Sequence, residues 1–150
     1  MLKKLILFVA LPLPVLVFIF LKLFGKNEFE VPVYWSDGVY VDGCEPRPGP
    51  YTLPDSVLKA WGWRGSEATL LVISESGIRN NLVRVSQLFA SGDYATIKVP
   101  EAPTCLLLAG DSSKVVLIDD QKRIRGYYTP TTQKETDRLA VELRILLKQY

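Results

Sequence analysis

The sequence predicts an α/β domain, a mixed sheet with flanking helices, preceded by one N-terminal transmembrane helix. Two observations carry this prediction. An apolar run near the N-terminus is long enough to cross a bilayer, and strand-like apolar runs alternate with helical periodicity through the rest of the chain. The 150 residues leave room for the span and for one domain of about 120 residues with its own hydrophobic core.

The apolar run covers residues 5–21 and contains no charged side chain. About twenty apolar residues cross the hydrocarbon core of a bilayer, and Lys22 can place its ammonium at the interface. A cleaved signal peptide is the alternative, but this run is longer than the apolar region of a usual signal peptide and no small-residue cleavage motif follows it. We therefore expect an uncleaved anchor over residues 1–25.

The charge distribution argues against one class of partner. All sixteen carboxylates follow Lys26, together with fourteen of the eighteen Lys and Arg residues, so residues 27–150 carry a formal charge of −2. Lysines on both sides of the apolar run supply the overall charge of +2 and give only a slight preference for a cytoplasmic N-terminus. Because no basic stripe remains to follow a phosphate backbone, we expect no binding to nucleic acid.

Residues 26–56 have the composition of an arm that precedes the domain. Four prolines fall within nine positions from Pro46 to Pro54, which forbids a helix and discourages a central strand. The arm also carries interleaved aromatic residues, which are Phe29, Tyr34, Trp35, Tyr40 and Tyr51. These rings suit packing against the arm's own domain or against a neighbouring subunit, and the sequence leaves both open.

The first half of the domain, which we assign to residues 57–150, predicts a parallel βαβ unit. Residues 68–73 form a short apolar run between polar turns, which is typical of a strand buried on both faces. A helix follows and ends at the turn residues 91–92, and residues 94–99 have the pattern of a second strand. The helix is indicated by apolar residues at helical spacing, namely Ile78, Leu82, Val85, Leu88 and Phe89.

The second half predicts a β-hairpin and a closing helix. Residues 114–118 and 123–128 are two strand-like runs, and the acidic residues 119–120 between them are expected to be solvated turn residues. Thr132 and Glu135 fit a capping box at the start of the helix. The apolar stripe of this helix consists of Leu139, Leu143, Leu146, Leu147 and Tyr150. The order β-α-β, hairpin, helix is that of a thioredoxin-like fold.

Three segments resemble the Sco/SenC family, in particular the short Sco-like proteins of Bacteroidota. They are "FGKNEFEVPVYW" after the anchor, "SKVVLIDDQKRIRGYY" in the hairpin and "KETDRLAVELRILLKQY" in the closing helix. The family consists of membrane-anchored, thioredoxin-like proteins that deliver copper to cytochrome c oxidase or maintain its thiols. The resemblance implies an anchor in the inner membrane, a domain in the periplasm, and partner subunits in a membrane complex such as a respiratory oxidase.

The resemblance also implies where the family's chemistry belongs. The family carries a Cys-x-x-x-Cys pair on the first strand-to-helix turn and a His before the hairpin, which hold copper. The matching positions lie near Ser76, Asn80 and Asp111, and hydroxyl, amide and carboxylate groups do not supply the soft ligands of Cu(I). The chain contains no His, which also removes the base of a serine triad. We expect no catalytic residue, metal or cofactor at this turn.

Two further features keep more than one interpretation. Cys44 and Cys105, sixty-one positions apart, are a relocated redox or metal-binding pair, a structural disulfide, or two unrelated cysteines. The segment that contains Trp61 and Trp63 predicts either an exposed anchor at an interface or part of the core.

We therefore interpret the protein as a non-catalytic, Sco-like subunit or assembly factor of a larger membrane complex, and not as an enzyme. Its candidate contact residues are Tyr34, Trp35, Trp61, Trp63, Ser76 and Asn80. One alternative is a thiol-redox or copper-handling protein that uses Cys44 and Cys105. Another is an envelope scaffold in transport or secretion.

Overall fold

The structure is a computed structural model that describes residues 12–24, 30–100 and 104–148. A 13-residue helix, α1, spans Pro12–Phe24. Within the described ranges, no helix combines the length and the apolar character needed to cross a membrane. Residues 1–11 and residue 25 of the expected anchor lie outside the described residues, as does Tyr150 of the expected closing helix.

The other elements form a two-stranded sheet, a larger four-stranded sheet and four helices in the described part of the domain. In chain order they are β1 (Gly38–Val39), β2 (Arg47–Pro48), α2 (Asp55–Ala60), β3 (Ala68–Val72), α3 (Arg79–Ser86), β4 (Ala95–Lys98), α4 (Thr104–Leu107), β5 (Val115–Asp119), β6 (Ile124–Tyr128) and α5 (Gln133–Leu146). The last four strands form one sheet in the order β4-β3-β5-β6, and β1 pairs with β2. β3 is parallel to β4 and antiparallel to β5, and β5 is antiparallel to β6. The expected mixed sheet with flanking helices is confirmed.

The two central strands of the large sheet are buried along their whole length. All five residues of β3 are buried, as its uninterrupted apolar run predicts for a strand covered on both faces, and all five residues of β5 are buried as well. In β4 at the edge, Ile97 is buried while its neighbours Thr96 and Lys98 are exposed. The register places Val72 opposite Val115 at one end of the sheet and Ala68 opposite Asp119 at the other. These two ends position the sites described below.

Helices α3 and α5 cover one face of the sheet, which we call the helix face. α5 begins as predicted, since the Thr132 hydroxyl accepts a hydrogen bond from the Glu135 amide at 3.4 Å. The predicted extent of α3 is wrong at its end, because the helix stops at Ser86 and leaves Leu88 49% exposed. The Leu88 amide bonds the Val85 carbonyl, three residues back, so the chain tightens into a turn there. The buried residues of this face are Ala68, Leu70, Val72, Ile78, Val85, Val115, Leu117, Tyr128, Leu139, Ala140, Leu143 and Leu147.

The arm, α2 and α4 cover the opposite face, which we call the arm face. Val39 and Leu53 of the arm are 1% exposed and lie in one apolar cluster with sheet residues such as Leu71. The arm therefore packs against its own domain. α2 spans the expected boundary between residues 56 and 57, and the small β1–β2 sheet, α2 and α4 have no counterpart among the predicted elements. The buried residues of this face are Val39, Tyr51, Leu53, Leu58, Leu71, Ile97, Val99, Leu107, Leu108, Val116, Ile118 and Ile124.

Candidate functional site

The turn from Ser74 to Asn80 leads from the carboxyl end of β3 into α3, whose first two residues are Arg79 and Asn80. Gly77 has a φ of +72°, a backbone conformation that favours glycine, and the Ser76 amide donates to the Ser74 hydroxyl at 3.4 Å. Ser76 and Asn80 are both exposed. At the ends of strands in open α/β sheets, such turns commonly face a ligand or a partner. The structure thus brings the two predicted turn residues to the surface at one end of the sheet.

Lys114 fastens this turn to the start of β5. Its ammonium donates to the Ser76 carbonyl, and its own carbonyl accepts from the amides of Ile73 at 2.8 Å and Ser74 at 3.3 Å. The contact joins positions 38 residues apart, and no local sequence pattern indicates it. The Lys114 ammonium therefore lies across the turn and is held there by a backbone carbonyl.

The charged side chains at this turn are arranged as surface ion pairs. Glu75 contacts Lys98 at 2.8 Å and Arg79 at 3.9 Å. The hydrogen bond from Lys98 lowers the pKa of the Glu75 carboxyl, and the nearby positive charges act in the same direction. A carboxylate that is ionised and paired in this way is a weak proton acceptor near neutral pH. Glu75 thus orients neighbouring cations and does not have the environment of a general base.

The groups at the turn are suited to contact with a partner. The residues of the turn supply hydroxyl and amide groups, a paired carboxylate and backbone amides at the start of α3. Asp111 lies exposed in the loop before β5. In the part of the chain that the structure describes, no three His, Cys, Asp or Glu side chains are placed to hold a metal ion.

The two cysteines form a disulfide away from this turn. Cys44, in the loop between β1 and β2, is bonded to Cys105 of α4, with the two Cα atoms 5.3 Å apart. Both residues are half-buried. Next to the bond, the Tyr51 hydroxyl donates to the Leu106 carbonyl at 2.7 Å and accepts from Arg47 at 3.1 Å. The disulfide and the tyrosine together attach the arm to α4.

The aromatic contact candidates each bury part of the ring in the arm face and leave part exposed. Trp35 donates from Nε1 to the Tyr127 hydroxyl at 2.9 Å, and the Tyr34 ring meets the Tyr127 ring edge-on at 5.2 Å between centroids. Trp63 donates from Nε1 to the Thr69 hydroxyl at 3.1 Å, and Trp61 packs on the same apolar cluster. One edge of each ring packs against the core, and the other edge remains accessible to solvent.

Half-buried Tyr127 and buried Tyr128 connect β6 to the layers on either side, and the sequence patterns do not single them out. Tyr127 donates to the Leu107 carbonyl at 2.9 Å, and burial raises the pKa of Tyr127 to about 12. Tyr128 points to the helix face, donates to the Glu142 carboxylate, and has a pKa raised by burial as well. Their hydroxyl groups therefore remain protonated donors throughout the physiological range.

The opposite end of the sheet carries a charged cleft of about 650 Å³. Asp119 is 3% exposed, which contradicts the expectation that residues 119–120 are solvated turn residues; Asp120 is exposed as expected. The Asp119 carboxylate accepts from Arg123 Nε at 2.8 Å and Arg125 Nη1 at 3.1 Å, and a second Arg125 nitrogen donates to the Val31 carbonyl. The hairpin buries this carboxylate because two guanidinium groups and two backbone amides satisfy it.

Comparisons of the chain with family models, with curated proteins and with solved structures found no match.

Proposed function

We propose that the protein is a non-catalytic, membrane-anchored subunit or assembly factor that binds a partner in a membrane complex through the turn from Ser74 to Asn80. The observation that carries this proposal is the chemistry of that turn, which presents exposed Ser76 and Asn80 and is held in place by the hydrogen bond from Lys114 to the Ser76 carbonyl. These groups suit hydrogen bonding to a partner. They do not supply a nucleophile with a neighbouring base.

The arrangement of the sheet supports a thioredoxin-like domain. A parallel pair, β3 and β4, is joined through α3, and an antiparallel pair, β5 and β6, leads into α5. The strand order β4-β3-β5-β6 places the turn after β3 at the centre of one sheet end. In a thioredoxin-like domain this turn is the functional position, which is why a partner contact is proposed there.

The membrane attachment is supported by the composition of the N-terminal segment. Residues 5–21 are uncharged, and the described side chains from Leu13 to Phe20 are exposed, with Phe18 at 66%. An apolar surface of this kind is stable in contact with lipid or protein. The disulfide supports a domain in an oxidising compartment such as the periplasm. By the resemblance to Sco-like proteins, the first partner to test is a respiratory oxidase of the inner membrane or its assembly machinery.

The experiment is copurification from mild detergent with a bulky substitution in the turn. Ser76→Trp should reduce the yield of copurifying membrane subunits while the midpoint of thermal unfolding stays unchanged. Ser76→Ala should leave the complex intact and change stability by no more than about 1 kcal/mol. Ser91→Trp, at an exposed serine beyond the other end of α3, is the matched control. A normal yield of copurifying subunits with Ser76→Trp would contradict the proposal. So would a loss of the complex's activity with Ser76→Ala when the complex itself stays intact.

The disulfide favours one second candidate, a thiol-redox protein. A partner dithiol could reduce the bond between Cys44 and Cys105 to two thiols while the partner itself becomes a disulfide. A thiol count on the native protein, with and without stoichiometric reduced dithiol protein, tests this function. Rapid exchange would favour the redox function, and so would tight Cu(I) binding by the reduced protein that Cys44→Ser abolishes. A bond that resists exchange in the folded protein would favour a structural role.

A further inference from the structure

The two edges of the four-stranded sheet differ in what covers them. At the β6 edge the arm lies alongside the strand, since the Tyr34 amide donates to the Ile124 carbonyl at 2.9 Å. At the other edge lies β4, which pairs with β3 on one side and with no strand on the other among the described residues. An unpaired strand edge is a template for a strand from another chain. Within the described ranges, β4 is therefore the open edge of this sheet.

The backbone of β4 shows which groups are open. The Val99 amide donates to the Val72 carbonyl at 2.9 Å, so the residue after β4 points its backbone groups toward β3. Because this direction alternates along a strand, Ile97 also points its backbone groups toward β3, whereas Thr96 and Lys98 point theirs outward. The side chains of Thr96 and Lys98 are exposed, and that of Ile97 is buried. The outer edge thus carries the amides and carbonyls of Thr96 and Lys98.

Helix α3 places an apolar side chain beside this edge. Arg79 contacts Glu75 at 3.9 Å, and Glu75 contacts Lys98 of β4 at 2.8 Å, so the side of α3 that carries Arg79 faces the edge. Val83 lies one turn further along the same side of the helix and is 52% exposed. The edge therefore combines open backbone groups with an exposed apolar residue on the helix face.

The open edge is complementary to a second copy of itself. In an antiparallel pair centred on Ile97, Thr96 of each copy lies opposite Lys98 of the other copy, and each such pair exchanges two hydrogen bonds. Every outward amide and carbonyl of β4 then has a partner. The charge of Lys98 does not oppose this pairing, because the ammonium is already paired with the Glu75 carboxylate of its own copy.

Other registers of the same pair fit less well. A pair centred on Lys98 would bring two ammonium groups opposite each other and would set Thr96 against Pro100, which has no amide to donate. A pair centred on Thr96 would join only one outward residue of each strand, because β4 spans Ala95–Lys98. The register centred on Ile97 is therefore the one that uses both outward residues of β4.

We propose that two copies of this chain pair antiparallel through β4, centred on Ile97, and join their four-stranded sheets into one continuous sheet. The two α3 helices then become neighbours on the helix face, and the two Val83 side chains come together near the two-fold axis. This pairing goes beyond the proposed function, since it does not depend on the partner at the turn from Ser74 to Asn80. Attachment of both copies to one membrane would favour it by raising their effective concentration.

Disulfide cross-linking of the full chain tests the pairing and its register. Thr96→Cys and Lys98→Cys, coexpressed on differently tagged chains and extracted in mild detergent, should form an intermolecular disulfide. Opposite residues of a hydrogen-bonded antiparallel pair have Cα atoms about 5.5 Å apart, within the reach of a disulfide. Either variant alone should form little cross-link, because its two copies are offset by two residues along the strands and lie roughly 8 Å apart.

The matched control for this experiment is Ser91→Cys coexpressed with Lys98→Cys. Ser91 is exposed but lies outside β4, so this combination should not cross-link. No disulfide between Thr96→Cys and Lys98→Cys, or equal cross-linking of each variant with itself, would overturn the proposal.

A second pair of variants separates the backbone contact from the charge. Lys98→Pro removes an outward amide but no hydrogen bond to β3, so it should yield a monomer by light scattering with a similar midpoint of thermal unfolding. Lys98→Gln loses the same ion pair with Glu75 and keeps the amide, so it should remain a dimer. In the unmodified protein, the Thr96 and Lys98 amides should exchange more slowly as the protein concentration rises. Exchange at these amides that is independent of concentration would overturn the proposal.

Other occupants of the edge would give different results. A monomer whose Thr96 and Lys98 amides become protected only together with copurifying subunits would assign the edge to a strand of another protein, and would overturn the pairing of two copies. Ser76→Trp should leave the cross-link unchanged, so the loss of the partner complex and the loss of the dimer are separate outcomes. Loss of the cross-link with Ser76→Trp would place the turn inside the dimer contact and would contradict this register.

Discussion

The two faces of the sheet are held by different kinds of contact. On the helix face, α3 and α5 bury apolar stripes whose members repeat at helical spacing, with Leu139 and Leu143 fully buried. On the arm face, a chain segment with little regular structure is held by a disulfide, by tyrosine hydroxyl groups and by a few buried side chains. The first face depends on the burial of apolar residues that recur at regular spacing along the sequence. The second combines an apolar cluster of its own with individual links between distant positions.

This difference predicts how each face responds to damage. Apolar burial is spread over many contacts, so a truncated side chain leaves a cavity whose cost depends on its volume. Specific links fail one at a time, and each loss releases or loosens the segment that it holds. Substitutions on each face test this difference.

The largest effect is expected on the helix face from Leu143→Ala. The side chain is fully buried, and removal of a buried leucine costs about 3–5 kcal/mol through lost burial and the residual cavity. Urea unfolding of the full chain in detergent measures the change. Val141→Ala on the same helix, at a side chain that is 55% exposed, is the matched control and should change stability little. Equal effects of the two substitutions would show that α5 does not pack as described.

The next effect concerns the disulfide on the arm face. Replacing Cys44 and Cys105 by Ser together should lower the free energy of unfolding by about 2–4 kcal/mol. The disulfide closes a loop between residues 61 positions apart, and without it the unfolded chain gains conformational freedom. The reduced wild-type protein should match this variant. Hydrogen exchange should speed up in β1 and α4 while α5 keeps its protection. Uniform acceleration over both faces would contradict the independence of the two layers.

A smaller effect is expected from Tyr127→Phe. The substitution leaves the Trp35 Nε1 donor and the Leu107 carbonyl without their partner, which should cost about 1–3 kcal/mol. Tyr40→Phe, at a tyrosine that is 70% exposed, is the control and should be close to neutral. A neutral Tyr127→Phe would mean that the hydroxyl does not link the arm to β6.

The same tyrosine predicts a loss of stability at high pH. Since the pKa of Tyr127 is raised to about 12 in the folded protein, the unfolded chain ionises first. The contribution of Tyr127 is therefore complete below the ordinary tyrosine pKa of 10.0 and is lost as pH rises through about 12. Denaturant unfolding at several alkaline pH values should show a shallower decline for Tyr127→Phe than for the wild type. Parallel declines would argue against burial of this hydroxyl.

The smallest effect is expected at the start of α5. Thr132→Ala removes the hydroxyl that accepts from the Glu135 amide and should cost about 1 kcal/mol. Thr132→Ser keeps an acceptor at the same position and should retain most of the stability. A similar loss in both variants would assign the effect to the threonine methyl group and not to the cap.

The sequence patterns predicted the helix face and the sheet more completely than the candidate sites. The buried run of β3, the strand β4, the hairpin of β5 and β6 and the cap of α5 follow from local patterns. Ser76 lies on the expected strand-to-helix turn, and Asn80 lies at the start of α3. By contrast, the Lys114 contact, the burial of Asp119 and the cleft were not predicted, because each joins groups from separate elements.

The strands and the amphipathic helices have signals that are local in the sequence. Strand burial and helix amphipathicity repeat over a few residues, so a continuous pattern is enough to place them. The tertiary structure alone decided how the arm is held, since Trp35 bonds a residue 92 positions away and Arg125 one 94 positions away. Such pairs have no period along the chain. Their formation depends on loop closure and on desolvation of each polar group in a fold that already exists, which local sequence does not encode.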